Sequence, residues 1–197
     1  MIDNKLKVSF GNKKLPKNTM IFNLPAVTTC PSRTSFCEVN CYALKAERMY
    51  KNVTPARKSN FKLSQGDEFV DSMKELILKN LHKINQFRIH ESGDFYNQKY
   101  LLKWYEIARS FPTITFYAYT KSFLLNFTGK PSNFVLIASF DESTREVLRL
   151  TYESKRQYFS NTFTIVDKNA VASCVQDCSI CNLCWKGEGL NLTVNKH

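Results

Sequence analysis

Hydrophobic positions along the chain switch between two periods. The segment Thr19–Leu24, "TMIFNL", is a continuous apolar run of strand length, as expected for a strand covered on both faces. Residues 66–85, "GDEFVDSMKELILKNLHKIN", instead place Phe69, Met73, Leu76, Ile77, Leu81 and Ile84 at helical spacing, which gives one apolar stripe. Asp67 and Glu68 suit the start of that helix and Lys79 and Lys83 its end. "QFRIHE" reads as a strand, and "NQKYLLKWYEIARSF" as a helix stopped by Pro112. "TITFYAYT" and "NFVLIAS" are strands rich in β-branched and aromatic residues. "STREVLRLTYESKRQY" reads as a helix capped by Ser143, and "NTFTIVD" as a fifth strand. Between the first two strands, "CEVNCYALKAERMYKN" reads as a loop feeding a helix. "TPARKSNFKLSQ" follows as a second helix with Thr54 as N-cap and Pro55 at the first helical position.

The predicted order is strand, cysteine loop, helices, strand, helix, strand, short helix, strand, helix, strand. Such alternation predicts an α/β fold of parallel strands joined by crossovers, either a partial (β/α) barrel or an open sheet. Both collect functional residues at the carboxyl ends of strands. There the sequence places Cys30, Cys37 and Cys41 after the first strand and Ser92, Gly93 and Asp94 after the second. Thr120, Lys121 and Ser122 follow the third strand, and Ser139, Asp141 and Glu142 the fourth. No linker splits the chain, so residues 1–171 are expected to form one domain with a cysteine-rich tail, 172–197, packed on it. Tyr117 and Tyr119 alternate with Phe116 and Ala118, so one pair faces the core and the other is free to line a pocket.

Composition adds location and partners. The 197 residues suit one compact domain. Apolar runs such as "FVLIA" are too short to span a bilayer, and "MIDNKLKVSF" has no signal-peptide core, so a cytoplasmic location without membrane contact is expected. The net charge is +11. Its basic residues are dispersed, which fits either attraction to nucleic acid or a solvated lysine-rich surface. There is no phosphate-binding glycine loop, nucleophile elbow or H-E-x-x-H motif. Catalysis by a cysteine nucleophile would need a placed histidine, for which only His82 and His90 are candidates.

The seven cysteines fall into two groups. Cys174, Cys178, Cys181 and Cys184 lie within "CVQDCSICNLCW", and Cys30, Cys37 and Cys41 within "CPSRTSFCEVNC". In a reducing compartment, dense thiols point to metal rather than disulfides. Three ligands fit an open four-iron cluster and four fit a closed one, with structural zinc in the tail as the alternative. Trp185 is placed to shield the tail group.

These motifs resemble known proteins. A cysteine group after the first strand and "ESGDF" after the second resemble the radical S-adenosylmethionine (SAM) superfamily. More closely, "FNLPAVTTCPSRTSFCEVNCYALK", "RIHESGDF", "TFYAYTKS" and the tail look like a phage and prophage family called gene product 88. The superfamily resemblance implies a [4Fe-4S] cluster on Cys30, Cys37 and Cys41, and SAM seated by Ser92, Gly93 and Asp94 with Tyr42 nearby. It also implies an auxiliary cluster on the tail cysteines, a flavodoxin- or ferredoxin-like reductant, and radical chemistry on a substrate that nucleic acid would suit. The spacing departs from the superfamily's: Cys37 and Cys41 match its first pair, Leu44 occupies the third position, and Cys30 lies upstream. A second expectation, of another class, is a metal-stabilised nucleic-acid-binding or redox protein.

Overall fold

The computed structural model describes residues 5–196; the first four residues and His197 lie outside it. A seven-stranded sheet runs in chain order, β1 (Val8–Phe10), β2 (Thr19–Phe22), β3 (Gln86–Ile89), β4 (Thr115–Thr120), β5 (Phe134–Phe140), β6 (Asn161–Val166) and β7 (Asn191–Asn195). Strand β1 pairs antiparallel with β2, and every later pairing is parallel. Seven helices accompany the strands among the described residues: α1 (Ser35–Asn40), α2 (Tyr42–Met49), α3 (Val53–Gln65), α4 (Phe69–Asn80), α5 (Gln98–Ser110), α6 (Glu146–Glu153) and α7 (Leu183–Lys186). The mixed α/β class and the parallel sheet match expectation. The partial barrel is replaced by the coarser architecture, a sheet with β1 and β7 at its two edges.

Alternation along the strands sorts side chains to two faces. Met20, Phe22, Phe87, Ile89, Phe116, Ala118, Phe134 and Leu136 meet Phe69, Met73 and Ile77 of α4 and Tyr100, Leu101, Trp104 and Ile107 of α5. Trp104 anchors this layer, with Phe22, Phe69 and Phe87 rings all within 5.6 Å of its own. Farther along β5, Ala138 and Phe140 pack on Leu148 and Tyr152 of α6 and on Phe123. On the opposite face Tyr117 and Ile137 meet Cys184, Trp185 and Leu192 of the tail.

Several local expectations are corrected. The short helix between the third and fourth strands is absent: residues 121–133 turn and bend from β4 to β5. Lys155 Nζ holds this connection by donating to the carbonyls of Phe123 and Leu125. Thr54 does not cap α3, which begins at Val53; its hydroxyl donates to the Glu47 carbonyl instead. Ser143 does not cap α6, because Asp141 Oδ1 accepts its backbone N–H in a turn ahead of the helix. Among the described residues, no helix is long and apolar enough to cross a membrane.

Candidate functional site

A cavity of about 180 Å³ opens beyond the carboxyl ends of β2–β6. Its lining includes Cys30, Cys37, Cys41 and Tyr42 from the β2 connection and Ser92, Gly93 and Asp94 from the β3 connection. Tyr119 and Lys121 come from the end of β4, Ser139 from β5 and Ile165 from β6. Eleven residues singled out in the sequence, Thr120 among them, thus share one hollow, because parallel strands deliver their carboxyl ends to the same side. The four tail cysteines do not line it.

The floor is built tightly. Gly93 has φ +91°, and a Cβ there would stand 2.6 Å from Thr29 Oγ1 and 2.7 Å from Leu24 Cβ. Only glycine combines that backbone with that approach. Asp94 is buried and its hydrogen bonds stay within the protein: Oδ1 accepts from the Thr120 hydroxyl at 2.6 Å and the Phe95 N–H at 2.7 Å, and Oδ2 from the Lys121 N–H at 3.0 Å. Burial raises its carboxyl pKa against the pull of these donors. Ser92 Oγ donates to the Leu24 carbonyl, and the Tyr42 hydroxyl to the Glu91 carbonyl. Val27 and His90 also hold positive φ, 65° and 66°. For a β-branched valine this is a strained conformation, of a kind that gathers at functional sites.

The wall carries a buried ion pair. Lys121 Nζ lies 3.3 Å from Asp141 Oδ2 and donates to Ser139 Oγ at 3.0 Å. The same Asp141 oxygen accepts from the Thr34 hydroxyl at 2.8 Å and lies 3.7 Å from Cys37 Sγ. Thr34 caps α1 by accepting the Cys37 N–H. Cys37 is therefore held on a short helix whose cap is itself tied to β5. Sequence reasoning placed Lys121 and Asp141 at strand ends but did not pair them, and it missed Thr34. The only sign of Thr34 was a threonine directly before a helical segment, an N-cap pattern.

The thiols differ. Cys30 is pushed up to about 12, by burial first and then by the Asp94 charge. In the tail, burial and the neighbouring thiols raise Cys178 to about 11 and also raise Cys184. Backbone bonds hold this tail: the Cys178 N–H donates to the Lys14 carbonyl and the Cys174 N–H to the Thr193 carbonyl. Trp185 lies over Tyr117 with ring centres 4.8 Å apart. His90 is a hydrogen-bonded interior residue, its Nε2 2.8 Å from the Tyr100 hydroxyl, with its pKa lowered to about 3 by burial and then by Arg88. It does not line the cavity, and His82 is exposed in the turn after α4. Neither histidine serves the thiols.

Fold and site together define a mixed α/β protein with a thiol-lined cavity at the carboxyl edge of a parallel sheet. The chain belongs to the gene product 88 family, whose model matches residues 4–187. It is similar to the Gene 88 protein of Mycobacterium phage L5, 23% identical over 188 residues, covering 81% of this chain and 79% of that one. It also resembles the Gene 88 protein of Mycobacterium phage D29, 30% identical over 135 residues, covering 61% of this chain and 55% of the relative. No solved structure matches.

These findings correct the expected iron–sulfur and SAM chemistry. Among the described residues, no group of three or more His, Cys, Asp and Glu side chains is placed to hold a metal ion. That applies to Cys30, Cys37 and Cys41 and equally to Cys174, Cys178, Cys181 and Cys184. The family match joins the chain to phage gene 88 proteins, and none of the matches joins it to iron–sulfur or radical SAM proteins. The physical reason is visible in the thiols. In the tail, Cys174 and Cys178 are tied through their backbones to separate segments, at Thr193 and Lys14, while in the upstream group the Cys37 thiol faces the Asp141 carboxylate.

Proposed function

We propose that the protein works through its thiols on a small polar molecule taken into the cavity, with Cys37 as the group that touches it. The observation that carries this reading is the contact between Cys37 Sγ and Asp141 Oδ2, beside the Lys121 ammonium. A thiol becomes a nucleophile as its thiolate, and needs a proton acceptor and a nearby positive charge. Asp141 is placed to receive the Cys37 proton, and Lys121 to balance the charge left on sulfur. Cys30, raised to about 12, stays a neutral thiol near neutral pH and shapes the wall. Asp94, Ser92 and Thr120 direct their hydrogen bonds inward, so they set the form of the site rather than react.

Iodoacetamide, itself a small polar electrophile, tests this reading with mass-spectrometric readout of each cysteine. Cys37 is expected to be alkylated at least about tenfold faster than Cys30 at neutral pH. Asp141→Asn and Lys121→Met are expected to slow Cys37 selectively. Equal rates at Cys37 and Cys30 would overturn the reading. So would a full equivalent of iron or zinc in protein purified without added metal.

A further inference from the structure

The basic residues look dispersed in the sequence, but one set of them falls on α2, α3 and the turn between them, and α2 starts at the cavity. Between Tyr42 and Gln65, across α2 and α3, there are six basic residues and a single acidic one, Glu47. Glu47 is not available to neutralise the surface. Its carboxylate pairs with the buried Arg57 guanidinium at 2.9 Å and accepts the Ala26 N–H. Arg57 also donates to the Ala43 carbonyl, which clamps α2 to α3.

The other five, Lys45, Arg48, Lys51, Lys58 and Lys62, are all exposed, and none forms an ion pair or side-chain hydrogen bond among the described residues. Lys45 and Arg48 are three apart on α2, and Lys58 and Lys62 four apart on α3, so each pair shares a face of its helix. Large side chains are interleaved with them: Tyr42, Met49 and Tyr50 are 55%, 61% and 58% exposed. Tyr42 and Ala43, at the start of α2, line the cavity. Thus α2 runs for about 12 Å from the cavity mouth to Tyr50, with cations along it.

We propose that the α2–α3 surface binds single-stranded nucleic acid, with the five cations against phosphates and Tyr50 stacked on a base. Charge complementarity selects a polyanion. The exposed aromatic ring on the same ridge selects unpaired bases over a duplex, whose bases are already stacked. The surface is independent of the thiol chemistry proposed above, although the same helix serves both.

Fluorescence anisotropy with labelled mixed-sequence single-stranded DNA, and in a second arm single-stranded RNA, tests the proposal. Five phosphate contacts predict an affinity loss of about 100-fold between about 50 and about 200 mM salt. The triple variant Lys45→Glu, Arg48→Glu, Lys58→Glu is expected to bind at least about tenfold more weakly, with a flatter salt dependence. Circular dichroism checks that it is folded. Tyr50→Ala is the milder variant and is expected to weaken single-strand binding without changing the salt dependence. Cys37→Ser is expected to bind like the unaltered protein. Equal or tighter binding to duplex DNA, to phosphatidylserine vesicles or to an acidic polypeptide would overturn the proposal. Undiminished binding by the triple variant would do the same.

Discussion

At the scale of the residue, His90 shows how much a single buried group can contribute. It ends β3 at φ 66°, buried against the Tyr100 hydroxyl and Phe95, with the Arg88 charge nearby. Its folded pKa of about 3 lies below the ordinary 6.5. The unfolded chain therefore takes up a proton that the folded one refuses between those values. The stability this represents is fully present above 6.5 and is lost as pH falls below it. Going from about pH 7 to about pH 5 is expected to remove about 2 kcal/mol from this group. Asp94 acts with the opposite sign, since burial raises its pKa and favours its protonated folded form. Urea unfolding at the two pH values, in the parent and in His90→Asn, isolates the histidine contribution as the difference. Asparagine tolerates the left-handed backbone. An unchanged pH dependence in the variant would refute the assignment.

At the scale of the element, legibility followed from how much burial fixes each segment. Helix α5 was read closely because Tyr100, Leu101, Trp104, Ile107 and Ala108 are all buried in the core, so its period is set by packing. Asn97 caps it by accepting the Tyr100 N–H at 2.9 Å. Asn97→Ala is expected to cost about 1 kcal/mol, read as a lower urea midpoint. Strands β1 and β7 were missed. Both are short edge strands: β1 is largely exposed, and only Leu192 and Val194 of β7 are buried. A weak alternation over so few residues carries little signal. The expected caps Thr54 and Ser143 failed because the helices start elsewhere: Thr54 lies inside α3, its hydroxyl donating to the Glu47 carbonyl, and Ser143 sits in a local turn on Asp141 ahead of Arg145, the residue that precedes α6. The gathering of Cys30, Cys37, Cys41 and Ser92–Asp94 was legible because parallel strands set it. The Lys121–Asp141–Cys37 contact was not, since it depends on how three connections fold over one another.

At the scale of the whole molecule, the sheet is covered differently on its two faces. Helices α4, α5 and α6 pack on one, while the other relies on the tail, whose Cys184, Trp185 and Leu192 sit on Tyr117 and Ile137. Removing residues 172–197 would bare Tyr117 and Ile137, both completely buried here, and turn β6 into an edge strand. A chain truncated there is expected to melt lower, bind the dye ANS and self-associate, as an unprotected apolar edge does. An unaltered melting temperature without dye binding would show that the tail is not a structural layer.

The strand order has a consequence for how the molecule comes into being. Because β1 to β7 lie side by side in the order in which they are encoded, a chain emerging from the ribosome can add each strand to one already present. Growth is then vectorial, and no early strand waits for a distant late partner. The cavity wall supplied by β2 to β5 is assembled while the last third of the chain is still being made. Its thiols take their places before the tail arrives to cover the opposite face, so the order of synthesis is also the order in which the site forms and the sheet behind it is covered.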